Sequence, residues 1–320
     1  MSKKKKFKKQ SIARIMFEEA KSFFAKYPNN VTRSAYVKNY RKFIDYCRRE
    51  FDCKTADECK SHIQDYVDYL VQKELTPSTI HTYIAPVAIY HGIPMEQIEK
   101  PRRCAAHNVR SRSNNGRQYR SDNDENNPKY SRSVDFQKCV GIRRNELANL
   151  RGNDFTQDEN GNFFVIVRKG KGGKRQLQKI LPDDVEFVKS YFYGMESKVF
   201  DPSELNNQID YHSLRAAQAK RAYKYYLDRI NNEEGYREEL EELICKHWNE
   251  RCLDKRTKKP KPINKYDFTG TYKLRGESKK HAIKNGLPTE YDRLAVLATS
   301  IFHLSHWRLN VFVSNYLIAV

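Results

Sequence analysis

Acidic side chains are short in this chain relative to basic ones. Forty Asp plus Glu stand against 60 Lys plus Arg in 320 residues, a formal net charge of +20 with a pI near 9.5. That imbalance implies a polyanionic partner, and nucleic acid is the first candidate. Long apolar runs are missing too. No stretch approaches the roughly 18 apolar residues a bilayer-crossing helix needs, and the start Met1-Ser2-Lys3-Lys4-Lys5-Lys6 has no apolar segment behind it. A membrane partner is therefore not expected, and a soluble, cytoplasmic, nucleoid-associated protein is. The seven cysteines are odd in number and lack a repeated spacing, which argues against a disulfide framework and for a reducing compartment. Their tightest group, Cys245 and Cys252 around His247, lacks the Cys-x-x-Cys pairing of structural zinc, so no metal is expected. The glycine-rich string 169–175 lacks the Gly-x4-Gly-Lys-Ser/Thr spacing of a phosphate-binding loop, which leaves no nucleotide cofactor to expect.

What is present is organised by period. Residues 1–10 form a lysine-rich arm. From Ser11, apolar residues recur at three- and four-residue intervals: Ile12 to Tyr27, then Tyr36 to Cys47 within a helix over 32–50, then Ile63 to Leu70 within a helix over 57–73. Thr76-Pro77 reads as N-cap and first position of a fourth helix. Residues 11–99 thus form an all-helical domain, with Arg33, Lys38, Arg41 and Lys42 offered to a duplex. Residues 100–133, where Arg110 and Arg112 sit among Ser and Asn, read as a basic interdomain linker that tracks phosphates. A second, mainly α domain spans 134–320. Its helix from Val134 carries Phe136, Val140, Ile142 and Leu147 inward, and its runs 163–167 and 177–181 form a small antiparallel β-hairpin around a basic turn containing Lys169, Lys171, Lys174 and Arg175. The class is α+β.

Five groups in the second domain carry phosphoryl chemistry. Gly141-Ile142-Arg143-Arg144-Asn145-Glu146-Leu147 places an arginine in an apolar stretch, where its charge needs a partner. His212-Ser213-Leu214-Arg215 opens a helix and sets a histidine and an arginine on one side of it. His306-Trp307-Arg308 precedes Tyr316 by ten residues. A phenol attacks phosphorus only when the charge growing on the phosphoryl oxygens is offset, and two arginines with histidine donors do this.

Order and spacing of these motifs resemble the tyrosine recombinase (phage integrase) family, most closely the integrases of conjugative transposons. The motifs cover the C-terminal two thirds, and the N-terminal third follows the family's general pattern. The resemblance implies a helical, SAM-like core-binding domain and a tyrosine recombinase catalytic domain that clamp DNA from opposite sides. It assigns Tyr316 as nucleophile, Arg143 and Arg215 with His212 and His306 on the non-bridging oxygens, and Lys171 as general acid, with Lys169 and Lys174 as alternatives. Glu146 is read as a brace. Trp307, at nine residues from Tyr316, is the runner-up to His306, and Ser305 replaces the glycine usual before that histidine.

Two departures stand out. Ninety residues, 216–305, separate Arg215 from His306, far more than in compact members, so an insertion occupies about 230–290; it holds an acidic helix from Glu233 to Glu242, a basic loop 255–261 and Tyr272-Lys273-Leu274-Arg275, in which Arg275 is the substitute for Arg215. Only four residues follow Tyr316 here, whereas many members continue into a helix that docks on a neighbouring subunit. The expected activity is DNA cleavage and rejoining through a 3′-phosphotyrosine, with strand exchange by a homotetramer on paired double-stranded sites through a Holliday junction. An accessory bending or excision factor is a family expectation. The alternatives are a type IB-like topoisomerase and a basic DNA-binding protein without catalysis.

Overall fold

The computed structural model describes residues 12–103, 126–206 and 209–318, apart from 171, 172, 174 and 252–267, of which only 257 and 259 are described. The chain divides into two compact units, Met1–Cys104 and Ala105–Val320. Among the described residues it is mainly helical with a small antiparallel sheet, an α+β layout, and no helix is long and apolar enough to cross a membrane.

The first unit is all α: α1 Ile12–Phe24, α2 Asn30–Phe51, α3 Ala56–Lys60, α4 Ile63–Gln72 and α5 Pro77–His91. Asn29 caps α2 by accepting from Val31 N and Thr32 N, and Thr76 caps α5 with Pro77 next in line. The helix expected over 57–73 is two helices, because the chain turns at Ser61 and His62 before Ile63. An aromatic-rich core joins Phe24, Tyr40, Phe43 and Tyr66. Aromatic burial of this kind supplies most of such a domain's packing energy.

The second unit begins with α6, Pro128–Val140, six residues inside the segment assigned to the linker. The Asn127 side chain accepts from Lys129 N and Pro128 takes the first helical position, a start signal hidden by the basic composition around it. Gly141, at φ +68°, ends α6, and α7, Arg144–Leu147, follows. Three strands, β1 Phe155–Gln157, β2 Phe163–Val167 and β3 Gln176–Lys179, form an antiparallel sheet in order β1-β2-β3. The hairpin falls close to the two β-prone runs, its second strand covering 176–179 rather than 177–181, while β1, only three residues long, gave no pattern. After α8, Val185–Lys189, the long α9, Tyr211–Asn232, packs between α6 and α12, Arg293–Phe302. The segment read as an insertion at about 230–290 contributes α10, Tyr236–Arg251, where an acidic helix from Glu233 to Glu242 was expected, together with α11, Gly276–Lys284, and the ribbon of β4 Thr271–Lys273 with β5 Glu290–Asp292. The last helix, α13 Leu309–Phe312, passes directly into a π-helical turn, Val313–Leu317, closed by Ile318 N donating to Val313 O at 3.0 Å.

Candidate active site

Tyr316 lies in that π turn and is buried, 7 % exposed. π turns recur at functional positions because the wider winding redirects one side chain. Its ring meets the His212 ring edge-on at a centroid distance of 5.5 Å. His212 stands in the first turn of α9, whose N-cap Asp210 accepts from both His212 N and Ser213 N at 3.1 Å.

One turn further along α9, Arg215 is almost wholly buried, 2 % exposed. Burying a guanidinium is costly unless its donors are satisfied. Here Nη1 donates to Gly141 O and Nη2 to Leu304 O at 3.0 Å, so one side chain ties the loop after α6 to the loop after α12. Burial pulls its pKa down, the neighbouring Arg143 adds to that, and the Tyr316 phenol and Glu146 act in the opposite direction. Arg143 is the N-cap residue of α7, in extended backbone conformation. Glu146, itself buried, accepts from Arg143 N at 2.9 Å and from Arg143 Nη1 at 2.7 Å, fixing the guanidinium while leaving it a third exposed.

His306 completes the group. Burial, together with Arg215, Arg308 and Arg143, lowers its pKa to about 4, so the ring is neutral at neutral pH. Its Nδ1 accepts from Arg308 N at 3.4 Å, which leaves the proton on Nε2. Nε2 of His306 and Nε of Arg215 are buried and have no hydrogen-bond partner among the described residues. Buried polar atoms of this kind call for an explanation, and an anion is one that suits donors only. Beside Arg215 opens a cavity of about 130 Å³ lined also by Arg143, Arg144, Tyr211 and His212.

The structure therefore brings together Arg143, Glu146, His212, Arg215, His306 and Tyr316. It separates the two runners-up from them. Arg275 lines a different cavity, with Asn310 and Ser314. Trp307 turns toward the insertion and packs against Trp248 and His247 of α10, at ring distances of 4.5 and 6.0 Å. Ser305 adopts φ +55°, the left-handed backbone for which glycine is the easier residue. Lys171, Lys174, Arg110 and Arg112 lie outside the described residues. Lys169 and Arg175 are exposed at the two ends of the hairpin turn. In the first unit, Lys38, Arg41 and Lys42, with Arg48 and Arg49, fall within about 120° of the α2 circumference, away from its buried face. Lys42 lies over the Tyr83 ring at 3.8 Å, Arg41 is 3.8 Å from Asp45, and Arg33 is tied locally to Asn30 and Ala25 O.

Several supporting residues carried no signal in the sequence. The Gln178 amide on β3 donates to Val140 O at 2.8 Å and to His303 O, joining the same two loops that Arg215 joins. Gln137 donates to Ile142 O and, at 3.1 Å, to Tyr211 O. Gln218 Nε2 donates to His303 Nδ1 at 2.9 Å, and His303 Nε2 meets the Tyr226 hydroxyl at 3.1 Å. His303 is fully buried, and its pKa falls to about 3 through burial first and then Lys179, Arg221 and Arg215. Arg144 sends Nη2 to Leu205 O at 3.4 Å, and beside the cavity its buried Nε has no partner among the described residues. Isolated glutamines have no period or motif to betray them, and His303 differs from His306 only in its surroundings. No protein-family model matches the chain, and no curated protein matches it in sequence.

Proposed function

We propose that the chain is a tyrosine-type site-specific DNA recombinase, with the core-binding and catalytic domains of that family. The observation that carries the reading is convergence: Arg143, His212, Arg215, His306 and Tyr316, far apart along the chain, come together in one group, with Arg143, His212 and Arg215 lining a cavity and with buried donor atoms of Arg215 and His306 that lack acceptors among the described residues. Tyr316 attacks the scissile phosphorus. The new bond joins its oxygen to phosphorus, the bond to the 5′ oxygen breaks, and the strand leaves as a 5′ hydroxyl protonated by Lys171. His212, beside the phenol, takes the phenolic proton. Arg215 and Arg143 offset the charge on the non-bridging oxygens, and neutral His306 contributes an Nε2–H donor without adding a proton of its own. The phosphotyrosine conserves the bond energy, so a second 5′ hydroxyl reverses the step. Exchange of strands within a tetramer on two double-stranded sites, through a Holliday junction and with an accessory bending factor, completes the proposal.

Nicked suicide duplexes drawn from the DNA flanking the gene test it. The unmutated protein gives a covalent adduct that survives denaturation, and Tyr316→Phe gives none. Binding by the unmutated protein without any adduct would leave only a DNA-binding role. Adduct formation without Holliday junctions on paired sites would point to a topoisomerase.

A further inference from the structure

A second cavity, of about 530 Å³, lies between the insertion and the helix that carries Tyr316. Its wall includes Lys273 on β4, Arg275 at the start of α11, and Arg293 at the start of α12, and no acidic side chain lines it. Two of these cations are already engaged: Lys273 pairs across the ribbon with Glu290 at 3.2 Å, and Arg293 has a partner within the chain. The Arg275 guanidinium has no hydrogen bond or ion pair among the described residues, and neither do the side chains of Ser278, Asn310 and Ser314, which also line the cavity. A guanidinium with hydroxyl and amide donors around it is a set suited to a tetrahedral, multiply charged oxyanion. Burial raises the pKa of Tyr272 in the same wall while Arg293 and Arg275 oppose it, so the positive potential is felt inside the cavity.

The geometry points to a phosphate-binding site here, distinct from the cavity beside Arg143 and Arg215. It spans the insertion and the nucleophile's helix. Asn310 and Ser314, four residues apart, share one face of that helix, while Tyr316 is turned to another. From the same side, His281 of α11 donates through Nε2 to Ile318 O at 3.1 Å, two residues past Tyr316. A phosphate bridging Arg275 to Asn310 and Ser314 adds a second tie between α11 and the Tyr316 turn. The phosphate belongs either to the backbone of bound DNA or to a free phosphate or nucleotide, and the site does not depend on the recombinase reading.

Two measurements on the full chain decide the matter. In the first, inorganic phosphate is titrated at constant ionic strength, with chloride as the control, and the melting temperature is followed. In the second, the slope of log affinity for duplex DNA against log salt is measured. Arg275→Gln tests the cation; Asn310→Asp sets a carboxylate against the anion with almost no change of shape; Lys279→Gln, an exposed cation of α11 outside the cavity, is the control. The expected result is that both cavity variants need at least about ten-fold more phosphate for the same melting shift, or show a salt slope smaller by about one unit, while Lys279→Gln behaves as the unmutated chain. A response in the phosphate titration alone assigns the site to free phosphate. A response in the salt slope, alone or with the first, assigns it to the DNA backbone. If the chain binds no DNA, the recombinase reading fails and the phosphate titration alone decides this site. Cavity variants that match the unmutated protein in every one of these measurements overturn the proposal.

Discussion

At the scale of single residues the site is governed by burial of groups that ordinarily carry charge. His303 and His306 are held neutral, with pKa values lowered to about 3 and about 4 from the ordinary 6.5. The sign follows from linkage. Above pH 6.5 both the folded and the unfolded chain keep these rings neutral, so nothing is lost. As pH falls from 6.5 toward 4 and then 3, the unfolded chain takes up protons that the folded chain refuses, and stability drops. Each pKa unit is worth about 1.4 kcal/mol, so His303 alone accounts for a few kcal/mol over that interval. Urea titrations at a series of pH values should show the fall, and His303→Gln, which cannot titrate but keeps an amide for Gln218 and Tyr226, should flatten a large part of it. A residual slope remains from His306 and from His91 in the first unit, whose pKa is lowered to about 4, mainly by burial. An unchanged slope in His303→Gln would mean that the ring is not held neutral. Arg215 shows the same theme with the opposite outcome, since its charge is kept and two loop carbonyls compensate it.

At the scale of elements, two turns set the site, and each rests on one backbone conformation. Gly141 takes φ +68°, and a Cβ there would stand 2.8 Å from Gln218 Oε1. Gly141→Ala should therefore destabilise the second unit by about 2 kcal/mol through backbone strain and crowding together, read as a lower urea midpoint at unchanged slope. Ser305→Gly relieves the left-handed strain at φ +55° and should be neutral or stabilising by up to about 1 kcal/mol. A destabilisation instead would show that the 3.4 Å contact of Ser305 Oγ with Gln178 Oε1 outweighs the backbone strain. These elements also show what was legible in advance. Apolar periodicity placed α1 and α2, the Thr76-Pro77 pair placed α5, and β-prone runs around a glycine-rich turn placed the hairpin, since those signals are local, and the spacing of arginine, histidine and tyrosine picked out residues that meet in space. The break inside 57–73, the start of α6 at Pro128 and the three-residue β1 escaped, because basic composition or shortness drowned the local signal. The glutamine ties at 137, 178 and 218 escaped for a different reason: a buried amide bridging two loops depends on where the loops meet, and nothing within a few residues of it in sequence records that.

At the scale of the whole molecule, a net charge of +20 is left over after every acid in the chain is counted, and in the proposed function that surplus serves to hold DNA phosphates. Among the described ion pairs, many are exposed contacts between near neighbours on one helix, such as Lys21–Glu18 and Lys280–Glu277, and contribute little to stability. The cations on the outer arc of α2 are a better gauge of partner binding. Replacing Lys38, Arg41 and Lys42 together by glutamine should leave the fold intact and reduce the slope of log DNA affinity against log salt by up to about three units, one for each phosphate no longer neutralised. Equal slopes for the triple variant and the unmutated protein would remove this face from any duplex interface.

The packing of α10 against the His306 turn has a consequence for what can be removed from the chain. Trp248 meets Trp307 edge-on, one residue from His306, and Tyr236, Leu240 and Ile244 share a core with Tyr226 and Phe302. A segment that looks in sequence like an interruption is thus part of the masonry behind the candidate site. Cutting it out as a surface loop is cut out would strip the backing from the turn that holds His306, and a change at 248 or 307 is felt across one shared contact.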